Sequence, residues 1–339
     1  MALEQQPRYR LGMMGGRVLR KRKQADSGEQ DRDGVSKGLN RLLDAAGKSS
    51  NLVVFSGSGL SATSGMSTFS TRGGLYERAQ KRFGVADGKR LFTYAFFEKR
   101  RLEALAFFAD IYAEAQKAAP ARGHKALGAV ACLGRLRRHY TLNIDGLAES
   151  VGLATWHPTD NPSGHTVEMH GSINQLVCSE CSAVAAMTPA ALRSLRAKRG
   201  IPCRACEAAS LRMRIMLYDD AEGDVITPED VFEVLEEDVK AADLILWVGI
   251  SFEQSASTAY FRRVRHYLQE AGRQGVCMQA VVNISDEALW NLLSSCSNTE
   301  NLDILEVLGS SDEVLPLVAA RMAAAAGVPL AFPTAVVPR

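Results

Sequence analysis

The chain has 339 residues, with forty Lys and Arg against thirty-eight Asp and Glu, a formal charge of +2. Near neutrality disfavours a globally basic nucleic-acid binder. The 46% hydrophobic and 23% charged content excludes whole-chain disorder. Apolar stretches such as Leu244 to Ile250 fall far short of the ~20 residues that a membrane helix needs.

In chain order, residues 1–35 are polar and Gly-rich and carry the run Arg20-Lys21-Arg22-Lys23 with no apolar signal region after it. They are expected to form a disordered basic arm: a solvated tail, a nuclear address or nucleic-acid contact, or an Arg-rich presequence. The folded domain is expected over residues 36–325, with a C-terminal tail at 326–339. Leu52 to Phe55 has the look of a buried parallel strand. An aromatic and basic stretch, about residues 66–120, reads as a helical insertion. An amphipathic stretch from His124 to Arg138 precedes a strand from Tyr140 to Asn143. A helix opening at Pro228 leads to a strand at Leu244 to Val248, a helix at about Ser257 to Gln269, and strands at Val276 to Val282 and Leu302 to Leu308. The Ala-rich stretch from Leu317 reads as a last surface helix. This alternation predicts an α/β fold, a Rossmann-like doubly wound parallel sheet.

The cysteines fall at 132, 178, 181, 203, 206, 277 and 296. Cys178 with Cys181, and Cys203 with Cys206, form two Cys-x-x-Cys pairs with twenty-one residues between them. Two such knuckles complete a tetrahedral four-sulfur zinc site, closed and therefore structural. The pairs define a small inserted zinc-binding module at about residues 172–212. Cys132, Cys277 and Cys296 lie in or near apolar runs and are expected in the core. The pattern implies a reducing compartment.

Five short motifs can carry chemistry. Val53 to Ala62 runs from a strand into a turn with Gly57 and Gly59, a shape that lets a phosphate approach backbone and helix N-terminus. No acidic residue at a second strand end follows at the dehydrogenase spacing. Asn143 and Asp145 follow a strand end, where ligands sit in such sheets, although capping of the next helix explains them equally well. His170, in Glu168-Met169-His170-Gly171-Ser172, can act as a general base near neutral pH. Gly249 and Ser251 form another strand-to-turn motif, and Asn283 ends an apolar strand in a residue suited to a ribose hydroxyl. Each has an ordinary turn as its bland reading.

Together and in this order, the motifs resemble the sirtuins, the NAD-dependent protein deacylases, from about Ser36 to Ala325. The resemblance implies removal of acyl groups, acetyl foremost, from protein lysines, giving nicotinamide and O-acyl-ADP-ribose. His170 would be the base that acts on a ribose hydroxyl. Asn143, Ile144 and Asp145 would line the nicotinamide end, and Gly57, Ser58, Gly59 and Ser61 the diphosphate. Gly249, Ser251 and Asn283 would hold the adenosine half, and Phe69 would shield the reacting sugar. The implied ligands are NAD and one zinc ion, and the implied partner is an acylated lysine protein such as a histone tail. A membrane is not expected as a partner, nor is direct nucleic-acid binding by the folded domain. The expected location is the nucleus, with the cytoplasm as alternative.

Four departures stand out. The family's Gly-Ile-Pro-Asp-Phe-Arg loop reads Gly65-Met66-Ser67-Thr68-Phe69-Ser70, so its Asp and Arg are absent, and Arg72 is the expected substitute. Leu142 replaces the Gln before Asn143, and Ser58 replaces an alanine. The substrate-side Phe-Gly-Glu is Tyr218-Asp219-Asp220, whose carboxylates favour a basic peptide. These departures leave two further readings open: a non-catalytic NAD- or ADP-ribose-binding scaffold, and a mono-ADP-ribosyltransferase.

Overall fold

Leu52–Ser56, a fully buried run built on Val53, Val54 and Phe55, forms the central strand β1. The structure is a computed structural model and describes residues 30–69, 72–219, 226–227, 230–296 and 302–333. On one side of β1 lie β2 (Leu136–Thr141) and β3 (Thr166–Glu168). On the other lie β7 (Leu244–Val248), β8 (Met278–Asn283) and β9 (Ile304–Leu308). The order β3-β2-β1-β7-β8-β9 is parallel throughout. The connections reverse direction between β1 and β7, and ligands of open α/β sheets bind at the carboxyl ends beside such a reversal. Helices α1 (Gln30–Lys48), α5 (Arg122–Cys132) and α10 (Ser311–Ala326) cover one face, and α7 (Asp230–Ala241), α8 (Ser255–Glu270) and α9 (Glu287–Ser295) the other.

Several boundaries differ from expectation. The first helix begins at Gln30, inside the stretch assigned to the arm, while the run Arg20 to Lys23 lies outside the described residues. The amphipathic stretch from His124 stops at Cys132, where a turn at Gly134 intervenes, and Leu136 to Arg138 belong to β2. The basic residues of that strand have a partner. Buried Asp238 of α7 pairs with both Arg137 and Arg138 at 2.8 Å and accepts the Tyr140 hydroxyl at 2.7 Å. The last helix begins at Ser311, ahead of the expected Leu317, and buries Val314, Leu315, Val318 and Met322 while Leu317 and Arg321 stay exposed. Cys277 is buried as expected, whereas Cys132 is exposed.

The two insertions are one body. The residue 66–120 segment forms α2 (Leu75–Phe83), α3 (Tyr94–Lys99) and α4 (Arg101–Ala115). The cysteine segment forms the antiparallel sheet β5-β4-β6 (Val184–Ala186, Gly171–Cys178, Leu211–Ile215) and α6 (Pro189–Arg196). Phe97, Phe107, Phe108, Ile173, Leu176 and Met213 are buried in the same hydrophobic cluster. The sheet ends at Ile215, past the expected boundary of 212.

Charge divides along the same seam. Residues 66–120 and 171–217 hold seventeen Lys and Arg against eight Asp and Glu, whereas the remainder from residue 36 onward holds fifteen against twenty-five. The near-neutral total therefore sums two basic insertions and an acidic remainder.

Candidate active site

The glycine motifs meet at the reversal between β1 and β7. Gly57 N–H donates to Val248 O and Gly59 N–H to Gly249 O, both at 3.0 Å. A Cβ on Gly59 would lie 2.6 Å from Gly249 Cα, and Gly249 itself adopts φ +62. Both positions need glycine because two backbone turns touch there, whatever ligand they also admit.

Beside them, the residues after β2 form a buried polar set. Asn143 Nδ2 donates to Gly57 O at 3.0 Å and to Ser61 Oγ at 3.2 Å. Ser61 Oγ donates in turn to Asp145 Oδ2 at 2.7 Å. His124, in the first turn of α5, lies 3.4 Å from Ser61 Oγ through its Nε2. Asn143, Ser61 and Asp145 thus fix one another across two chain segments before any ligand arrives.

A cleft separates the two domains. Its sheet-domain wall includes Gly57, Ser58, Leu142, Asn143, Ile144, His170, Gly249 and Ser251. The small domain contributes Phe69, Tyr76, Phe92, Ile215, Met216 and Tyr218. A smaller cavity behind it is lined by Ser58, Ser61, Ser67, Phe69, Asn143, Ile144 and Asp145, among others. Phe69 therefore borders both spaces. Its ring packs 5.7 Å from Tyr76 and 5.6 Å from Phe92. Tyr76, Phe92 and Met216 carry no sequence signal of their own, and the packing of the two insertions into one domain brings them to the cleft.

His170 Nδ1 lies 3.1 Å from Leu142 O, so Nδ1–H donates to that carbonyl and Nε2 is left as the acceptor. Burial pushes the ring down to about 4, which keeps it neutral at physiological pH. Gly171, next along, has φ +74, and a Cβ there would lie 2.1 Å from Arg214 O, so only glycine fits. That approach lets Met216 N–H donate to His170 O at 2.9 Å, tying the histidine to the small domain.

The other expected site residues divide. Ser251 lines the cleft. Asn283 braces the loop behind it, donating from Nδ2 to Ile250 O at 3.0 Å and accepting Ile284 N–H at 2.8 Å. Arg72, the expected substitute in the cofactor loop, is exposed, and the arginine that reaches this loop is Arg78, which bonds Ser67 Oγ at 2.9 Å. Asp219 takes φ +56, a conformation glycine adopts freely and Asp tolerates, and its Oδ1 accepts Tyr94 N–H at 2.8 Å. Asp220 and Ser70 lie outside the described residues.

The four cysteines converge as their spacing predicts. Their sulfurs lie within 4.8 Å of one another, with Cys178 and Cys206 at 3.6 Å and Cys181 and Cys203 at 3.7 Å. A tetrahedral zinc with Zn–S bonds of about 2.3 Å sets its sulfurs roughly 3.8 Å apart, so the donor set fits zinc. The knuckles repeat one geometry: the residues after their second cysteines, Ser182 and Glu207, both have positive φ, at 60 and 63.

Burial gives the site a pH signature. His139, whose Nε2 lies 2.7 Å from Ser56 Oγ, is pushed down to about 3 by burial and then by His124. His139 and His170 bind protons far more readily once unfolded, near pH 6.5. Their stabilisation is therefore present above about pH 6.5 and is lost as pH falls towards their folded values. Glu168 is raised to about 7, by burial and then by Glu149, and acts in the opposite sense between its unfolded value and about 7. With two histidines against one glutamate, the melting midpoint is expected to fall from about pH 7 to pH 5, and to fall less in His139→Asn. Thermal melts across that range check both directions, and a midpoint that rises on acidification contradicts them.

The family model described as the Sir2 family matches residues 57–256. The chain is 27% identical over 234 residues to the NAD-dependent protein deacetylase hst4 of Emericella nidulans, covering 63% of this chain and 39% of that protein. It is 28% identical over 184 residues to the NAD-dependent histone deacetylase HST3 of Saccharomyces cerevisiae, covering 50% of this chain and 41% of that protein. The NAD-dependent protein deacylase 2 of Pyrobaculum aerophilum is 26% identical over 277 residues, with 81% and 92% covered. The chain thus spans about two fifths of the first two relatives. A solved Sir2 homolog–NAD complex superimposes with a TM-score of 0.61 at 21% identity, covering 84% of this chain and 94% of that one. At that identity the likeness concerns the fold.

Proposed function

The chain belongs to the Sir2 family, and we propose that it removes acyl groups, acetyl foremost, from protein lysines at the expense of NAD, giving nicotinamide and O-acyl-ADP-ribose. The observation that carries this reading is His170: a neutral imidazole with Nε2 bare, on a cleft that also exposes Asn143 and the switch-point glycines. NAD supplies a sugar carbon that loses nicotinamide and accepts the acyl oxygen. His170 Nε2 takes the proton of a ribose hydroxyl. Asn143 and Asp145 hold the nicotinamide end, with Ile144 beside them. Gly57, Ser58, Gly59 and Ser61 receive the diphosphate through turn amides and hydroxyls. Gly249 and Ser251 hold the adenosine half, with Asn283 bracing their loop. Phe69, Tyr76 and Phe92 present an aromatic wall that excludes water from the sugar, where hydrolysis is the competing reaction. Cys178, Cys181, Cys203 and Cys206 hold a structural zinc.

The partner is an acylated lysine in a basic peptide such as a histone tail. It lies alongside Tyr218 and Asp219 by strand addition. Two points support a nuclear site: the run Arg20-Lys21-Arg22-Lys23 and relatives named as histone deacetylases.

Zinc-loaded protein incubated with NAD and a pooled acyl-lysine peptide set is expected to release nicotinamide and O-acyl-ADP-ribose in equal amounts, followed by mass spectrometry. Saturable NAD binding without product would establish a scaffold instead. ADP-ribose attached to protein would establish a transferase.

A further inference from the structure

The loop that carries Phe69 lacks the family's Asp and Arg, yet it is held at two places. Its second half docks on the N-terminus of α2. Leu75 N–H donates to Thr68 O at 2.8 Å and Tyr76 N–H to Phe69 O at 3.2 Å, which satisfies amides a helix start leaves open. Its first half is held by a carboxylate from another element. Glu114, in the last turn of α4, accepts Ser67 N–H on Oε1 at 2.8 Å, and Ser67 Oγ–H donates to the same oxygen. Arg78 of α2 closes the triangle, reaching Glu114 Oε2 at 2.7 Å and Ser67 Oγ at 2.9 Å.

The placement of Glu114 is informative. An acidic residue at a helix C-terminus faces the negative end of the helix dipole, and this last turn has no basic residue to offset it. Burial also works against the carboxylate, yet the bonds from Ser67 and Arg78 hold its titration below the usual range. Ser67 lines the inner cavity that Asn143 and Asp145 border. The clamp therefore sets the wall opposite the two residues assigned to the nicotinamide end.

We propose that Glu114, held by Arg78, is the positioning residue that fixes the Ser67–Phe69 segment over the inner cavity, the task for which the sequence pointed to Arg72. The inference rests on the deacylase reading for its kinetic consequence but not for its structural one. A loosened loop binds NAD less well and lets water reach the sugar, while the chemistry at His170 is untouched.

The test uses the full zinc-loaded chain with Glu114→Ala and Glu114→Gln. Glu114→Ala is expected to raise the KM for NAD about tenfold, the scale of a lost charge-assisted hydrogen bond, with kcat changed far less. The share of nicotinamide released without O-acyl-ADP-ribose should also rise. Glu114→Gln keeps an acceptor for Ser67 but loses the ion pair, and should fall between wild type and alanine. Unchanged KM and unchanged uncoupled release in Glu114→Ala, with wild type turning over, would overturn the proposal. If wild type itself does not turn over, the deacylase reading fails, and trypsin cleavage after the exposed Arg72 becomes the readout. Faster cleavage in Glu114→Ala than in wild type then supports the clamp, and equal rates reject it. A melting curve for each variant separates loop release from global unfolding.

Discussion

His170→Ala is expected to lower acyl-lysine-dependent release of O-acyl-ADP-ribose by about 10²–10⁴-fold, the usual contribution of a positioned general base, or roughly 3–5 kcal/mol of barrier. NAD binding and the melting temperature should change little. Among the described residues the ring makes one hydrogen bond, from Nδ1–H to Leu142 O just past the end of β2. Because the free ring titrates at about 4, kcat/KM should show no loss attributable to His170 as pH falls from about 8 to 5. Initial rates across that range, with product followed by mass spectrometry, test both statements. Turnover in His170→Ala within a few fold of wild type would move the base elsewhere.

Removal of the metal should have the other large effect, and it should reach beyond the knuckles. A structural zinc contributes on the order of 10 kcal/mol to the fold it closes. Here the sulfur cluster belongs to a sheet whose core is shared with α2 to α4. Chelation, or Cys178→Ser, is therefore expected to loosen the whole small domain, including Tyr76, Phe92 and Ile215 on the cleft wall. Activity should vanish and dye-accessible apolar surface should appear, while much of the helical signal of the sheet domain survives. Metal analysis of the intact protein should return about one zinc per chain. No metal, or a single cooperative melt unchanged by chelator, would refute the assignment.

Much of the site was legible because its residues sit where local rules are strict. Strand ends with glycine turns announce themselves as apolar runs broken by Gly57 and Gly249, and two Cys-x-x-Cys pairs leave few alternatives. What escaped was set by contacts between distant segments. Leu136 to Arg138 continue a helical pattern in sequence, and distant partners, Asp238 a hundred residues away and the Gly164 carbonyl, make basic side chains acceptable on that strand. Glu114 ends a helix without any local mark, and its role exists only once Ser67 and Arg78 arrive beside it. The fusion of two insertions into one domain was invisible for the same reason, since each is amphipathic against an unnamed partner.

The partition of charge gives the cleft a direction. The two segments that build the small domain carry a positive surplus and the rest of the chain from residue 36 a negative one, so charges of opposite net sign flank the cleft. A lysine-rich chain approaching from solution is pulled towards the sheet side and pushed from the zinc side, which orients it before contact. A dianionic ligand feels the opposite pull, so ligands of opposite charge would be drawn towards opposite sides during encounter. Such sorting acts on association rates and fades as added salt shortens the screening length below about 8 Å.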